Sequence, residues 1–171
     1  VNCILNPIFG SPITDEPKPL LFTVIRRAEH ALREYELAHE QLEEFITGER
    51  SVSTYFLAMS YLETALSCSY QSFDFFRKAT ATELFKKGDG SIFERLNRIY
   101  SVIKHLETSS LQPGQLHLLW FTNDGLSTSV ASLNFTEIME IIEDTCQLAQ
   151  KLSMLRYALE EEADKSNAAD G

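Results

Sequence analysis

Two side chains in this sequence are spaced for proton and phosphate chemistry. Arg98 and His105 stand seven residues apart in the stretch ERLNRIYSVIKHLE. On a helix that separation is two turns, which puts both on one face. With Arg98 as the angular origin, Glu94 and His105 fall within about 40° and Ser101 about 60° away. An imidazole moves a proton near neutral pH. A guanidinium holds a phosphate and steadies the charge that develops on it. Where RNA brings its own 2′-hydroxyl as nucleophile, such a pair needs no metal. The neighbourhood is also basic: residues 86–105 carry Lys86, Lys87, Arg95, Arg98 and Lys104 against Asp89 and Glu94, a net of +3 in a chain of −10. Glu94 and Arg98 are at the same time an ordinary i,i+4 ion pair on a solvated helix face.

Other constellations are thinner. Glu36-Leu-Ala-His39 is an ExxH, and Glu63 follows on the next helix. A carboxylate-bridged di-metal bundle needs an ExxH on each of two helices and two further Glu. Only one ExxH is present, and neither His30 nor His117 completes the set, so no metal or other cofactor is expected. Glu63 and Asp74 are the only acids between Ser51 and Ala81; either can orient His105 or pair with Arg98 if their stripe faces that helix. Trp120 and Phe121, beside an Asn-Asp-Gly turn signal, read as a seal on the core before a base-stacking platform. Cys68 and Cys146 read as small core residues without a neighbouring His.

The elements that must position these groups are mainly helices. Residues 1–16, with Pro7, Gly10 and Pro12, form a lead-in. A rhythm of Leu21, Val24, Ala28, Ala31, Tyr35, Ala38, Leu42 and Phe45 predicts a long amphipathic helix from about 17, stopped by Gly48. Ser51 or Ser53 caps a second helix running to about Lys78, apolar over most of its circumference and therefore central. After Gly88-Asp89-Gly90, Ser91 and Glu94 make a capping box for a third helix over 92–108. Residues 109–115 read as a loop and 116–133 as a β-hairpin around Asn123-Asp124-Gly125. Asn134 and Glu137 are a second capping box, opening a fourth helix over 135–160. A polar tail, 161–171, is expected to be disordered. The fold class is thus all-α: one domain over 17–160, an antiparallel bundle of four long helices with a small hairpin between the third and fourth.

On these residues the chain resembles the HEPN superfamily. Arg98-Ile-Tyr-Ser-Val-Ile-Lys-His105 fits that group's loose Arg-x4-6-His pattern. The stretch around it, followed by LWFTNDGLS and a capped helix, is similar to bacterial HEPN-like proteins of unknown activity. The resemblance implies a helical bundle over most of 17–160 that dimerises, and many such proteins are metal-independent endoribonucleases of toxin–antitoxin or phage-defence systems. It assigns Arg98 and His105 the catalytic roles, phosphate binder and acid/base. Arg95 and Lys104 then contact RNA from the flanks. Active members usually carry Asn, Asp or His directly after the arginine. Here that residue is Ile99, and the nearest polar side chains are Asn97 and Ser101. Other members keep the bundle without the nuclease, so a non-catalytic module that binds a protein partner, an antitoxin for instance, is the competing expectation.

Composition sets the outer bounds. The chain has 171 residues, 44% of them apolar and 23% charged, enough to bury a core without disulfides. Fifteen basic against 25 acidic residues argue against a broad nucleic-acid surface, and no DNA partner is expected. Three scattered cysteines build no disulfide framework, which points to a reducing cytoplasm. No apolar run reaches the ~18 residues that span a bilayer, so no membrane partner is expected.

Overall fold

The computed structural model describes residues 18–48, 50–80, 83–105 and 118–169. The lead-in at 1–16, the loop at 109–115 and residues 106–108 of the expected third helix lie outside the described residues. Four helices and a small sheet follow in order: α1 (Lys18–Thr47), α2 (Val52–Thr80), α3 (Ile92–Lys104), β1 (Leu119–Phe121), β2 (Gly125–Thr128), β3 (Ser132–Asn134) and α4 (Phe135–Ala169).

Helix α1 buries Val24, Ala28, Ala31 and Ala38 at steps of three, four and seven, the single face that its apolar rhythm predicts. Small residues on that face and on α2 (Ala58, Ala65) let the two backbones approach closely. The Ser72 hydroxyl reaches the Val24 carbonyl at 3.3 Å, and Phe45 meets Tyr55 edge-on at 5.5 Å. One chain thus runs up as the other runs down. At its start, α2 is capped by Ser51, whose Oγ accepts from the Thr54 N–H at 3.0 Å. Its middle is the centre of the molecule: Met59, Leu62, Leu66 and Phe73 join Leu96 and Ile99 of α3, Leu119, Leu126 and Leu133 of the sheet, and Ile138 and Ile141 of α4. Phe56 and Leu57, near the start of α2, remain partly exposed, as do Leu32 and Ile46 of α1.

Helix α3 turns its apolar side to α2. Phe93 packs edge-on to Phe73 at 4.8 Å, and Tyr100 stacks on Tyr70 at 4.4 Å. The helix ends at Lys104, earlier than the expected 108, and His105 is its C-cap. The expected hairpin is the first two strands of a three-stranded antiparallel meander, β1-β2-β3. The turn residues Thr122, Asn123 and Asp124 join β1 to β2, with Phe121 opposite Leu126, and Leu126 in turn opposite Leu133. The three leucines, 119, 126 and 133, point inward, one from each strand. β3 escapes a reading by periodicity because it is three residues long and Leu133 is its only apolar residue.

β3 passes into α4 without a loop. Asn134 Oδ1 accepts from the Glu137 N–H at 2.8 Å, and Glu137 Oε2 accepts from the Asn134 N–H at 3.0 Å, the reciprocal bonds of the predicted capping box. α4 continues to Ala169, past the expected end at 160, so residues 161–169 of the expected disordered tail are helical. Glu, Ala and Lys are good helix formers, and no Gly or Pro interrupts them before Gly171.

Candidate functional site

The site grows from the turn before α3. Gly88 and Gly90 have positive φ (87° and 70°), which side chains rarely tolerate, and they fold the chain back over the start of the helix. Asp89 holds that turn by accepting from the backbone N–H groups of Lys86 (2.8 Å) and Ser91 (2.9 Å). Ser91 Oγ accepts from the Glu94 N–H at 3.2 Å, as a capping box requires. The Glu94 carboxylate is only 3% exposed. It accepts from Gly88 N–H (2.7 Å), Gly90 N–H (2.8 Å) and one Nη of Arg98 (3.0 Å). The two backbone donors, and then the guanidinium, hold its carboxyl below the usual range. Glu94 therefore orients Arg98 from below while stitching the turn to the helix.

Arg98, Ser101, Val102 and His105 line one open groove of about 510 Å³, bounded on the sheet side by Val130 in the β2–β3 turn. The Arg98 side chain is 48% exposed, and Ser101 and His105 are exposed as well. A guanidinium has five N–H donors and Glu94 engages one Nη, which leaves capacity for an anion in the groove. The guanidinium, on the helix, and the imidazole, at its C-cap, thus share one shallow, open surface. Lys104 is exposed at the last residue of α3 and Asn97 is half-buried; neither lines the groove. Glu63 is half-buried on α2 and does not line it either. Asp74 is engaged on its own helix, by Arg77 at 2.9 Å and Lys78 at 2.7 Å.

Arg95, expected to flank the site as a phosphate contact, has its donors engaged within the fold. Its guanidinium donates to both oxygens of Glu137 on α4 (2.6 and 2.9 Å), to the Ser132 carbonyl (3.0 Å) and to the Gly90 carbonyl (3.3 Å). At 60° from Arg98 on the helical wheel, it turns toward the sheet, where the first turn of α4 supplies the carboxylate. Arg95 is a clamp between turn, helix and sheet.

The ExxH of α1 gathers no metal set. His39 borders apolar groups, Leu42, Phe135 and Ile138 among them, and no group of three His, Cys, Asp or Glu side chains comes together among the described residues. Phe121 packs edge-on to Tyr55 (5.4 Å) and lies 6.4 Å from Phe135, while its N–H donates to the Tyr55 hydroxyl at 3.1 Å. It seals one end of the core, as expected. One cluster was missed. Cys68 has a histidine neighbour after all: His30 Nδ1 lies 3.6 Å from Sγ, brought across from α1 by the antiparallel pairing. Its only signal in the sequence is the i, i+3, i+7 spacing of Arg27, His30 and Glu34. Compared with protein families, with curated proteins and with solved structures, the chain gives no match.

Proposed function

We propose that this chain is a HEPN-like protein, an antiparallel helical bundle that acts as a dimer in the cytoplasm and cleaves RNA without a metal, in a toxin or phage-defence setting. One observation carries the reading: Arg98, Ser101 and His105 share one open groove. In this reading an RNA phosphodiester lies along the groove. The Arg98 guanidinium binds its non-bridging oxygens and steadies the pentavalent species. His105 takes the proton of the 2′-hydroxyl, whose oxygen attacks phosphorus, and the 5′-oxygen leaves. The second copy in the dimer faces the first across the groove and supplies the acid for that leaving oxygen. Lys104, at the end of α3, adds an electrostatic contact to the flanking phosphates, and Ser101 a hydrogen bond.

The test is cleavage of a structured RNA by the purified chain, with and without EDTA, beside His105→Ala and Arg98→Ala. Cleavage that survives EDTA and drops at least about a hundredfold in His105→Ala supports the nuclease. No cleavage, or equal cleavage by parent and variants, removes it.

A second reading has its own observation. Ile46, Val52, Phe56, Leu57 and Met139 are large apolar side chains left exposed. A non-catalytic module that binds a protein partner would use such side chains, and the acidic balance of the chain favours a basic partner. Loss of the nuclease in the test above leaves this reading in place.

A further inference from the structure

At the α1–α2 seam lies an ordered row of four functional groups. Arg27, His30 and Glu34 occupy one stripe of α1, and Cys68 meets them from α2. Glu34 Oε1 lies 3.2 Å from His30 Nε2, His30 Nδ1 lies 3.6 Å from Cys68 Sγ, and Arg27 Nη1 donates to the same sulfur at 3.7 Å. The sequence is carboxylate, imidazole, thiol, guanidinium. Glu34 is only 8% exposed and Cys68 only 3%. The Glu34 carboxylate lies against His30 Nε2 as an ion-pair contact. The tautomer with its proton on Nε2, toward Glu34, leaves Nδ1 as the acceptor for the thiol proton. From α4, the groups packed with Cys68 are Ile142 and Cys146, neither charged at neutral pH; Ala31 and Tyr35 of α1 and Ala65 of α2 belong to the same cluster.

We propose that Glu34, His30 and Cys68 form a thiol-activating relay and that Cys68 is a site of oxidation by hydrogen peroxide. The reaction is distinct from anything in the α3 groove. Sulfur attacks one peroxide oxygen: an S–O bond forms and the O–O bond breaks. The thiol proton passes to His30 Nδ1 and from there to the departing hydroxide, which leaves as water. Sulfur is oxidised by two electrons, peroxide is reduced, and the product is a sulfenic acid at Cys68. Burial pushes the Cys68 thiol above its ordinary range, the hydrogen bond from Arg27 pulls it back, and the Glu34 charge adds to the rise. The proton therefore rests on sulfur and departs for the imidazole only as the new bond forms, which is general-base activation of a nucleophile. At 3% exposure the sulfur is closed to a bulky oxidant, and hydrogen peroxide is little larger than water.

The experiment uses the full chain with Cys3 and Cys146 replaced by serine, so that Cys68 is the single thiol. Folded protein is treated with hydrogen peroxide, the peroxide is removed with catalase, the chain is then unfolded in urea containing dimedone, and the adduct is followed by mass spectrometry. The parent should acquire one dimedone adduct at Cys68. His30→Gln, at a side chain 43% exposed, should keep the fold and slow labelling by about tenfold or more. Glu34 is a positioning residue. Glu34→Gln should slow labelling with the circular dichroism unchanged, and Glu34→Asp, which keeps a carboxylate, should restore it. A purely structural role would not separate those two variants. An unlabelled Cys68 in the folded parent, or His30→Gln labelled at the parent rate with its circular dichroism intact, overturns the proposal.

Discussion

Glu94 and Arg95 are adjacent in sequence and hold different halves of the site. Glu94 caps α3 and steadies Arg98, while Arg95 binds Glu137 across to α4. Both carboxylates, Glu94 and Glu137, have pKa values held below their ordinary range: Glu94 first by the Gly88 and Gly90 N–H groups, Glu137 first by the Arg95 guanidinium. A depressed carboxylate contributes stability that is complete above its unfolded pKa and is lost as acid protonates it. The midpoint of urea unfolding should therefore hold at neutral pH and fall between about pH 5 and about pH 3. In Glu94→Gln that acid dependence should flatten while the neutral midpoint drops, since an amide cannot satisfy two backbone donors and a cation as well. Arg95→Ala should cost about 1–2 kcal/mol in the same assay, a value reduced for partial exposure of the pair. At this scale the sequence was informative about caps and misleading about cations. Asn134–Glu137 forms both bonds of its capping box, while Ser91–Glu94 forms only the serine half, because the Glu94 carboxylate goes to Gly88 and Gly90 and the Ser91 N–H to Asp89. Which basic residue is already committed depends on what another element brings to it. Arg95 looked as available as Arg98 until Glu137 was placed 42 positions away. His30 and Cys68 were invisible as a pair for the same reason.

Elements were legible where they were long. The period of α1 and the greasy circumference of α2 each cover many turns, so one misplaced side chain does not disturb the pattern. Short elements depend on single residues, and there the reading stopped at two strands. Gly125 is such a residue. A Cβ at that position would stand 2.1 Å from the Leu133 carbonyl oxygen and 2.6 Å from the Asn134 Cα, both backbone atoms that cannot swing aside. Its neighbours on β3 close over it because β2 and β3 are paired there, with Gly125 opposite Asn134. Gly125→Ala should therefore cost at least about 1–3 kcal/mol, read from thermal or urea unfolding, as an overpacked interior does. Gly88→Ala should be milder, near the ~1 kcal/mol of an unfavourable φ, because nothing lies within 4 Å of its added Cβ. Reversal of that order would mean that the sheet is looser than its register implies.

Among the described residues the larger of two buried clusters takes side chains from every element. Leu66 is fully buried in it, among residues from α2, α3, the sheet and α4. Leu66→Ala should cost about 2–5 kcal/mol, read from the midpoint of thermal or urea unfolding. No helix among the described residues is long and apolar enough to cross a membrane. The proposed dimer makes its own prediction at this scale. Sedimentation should give twice the chain mass of 19.4 kDa, and a charge-reversing change at Arg98, Arg98→Glu, should weaken the association if the two grooves face each other. A parent that sediments at the chain mass removes the second imidazole from the proposed reaction.

The join between β3 and α4 has a mechanical meaning. Asn134 closes the last strand and its side chain opens the next helix; the Asp124 carbonyl accepts from Phe135 N–H at 2.7 Å, and Glu137 one turn later grips Arg95. There is no slack in that run. Displacement of the sheet pulls the first turn of α4, which pulls α3 through Arg95, and α3 is the wall that carries Arg98. The small meander is in effect a handle on the groove. Amide hydrogens of β2, β3 and the opening turn of α4 should then exchange with solvent at one common rate, and Arg95→Ala should separate the rate of α3 from theirs.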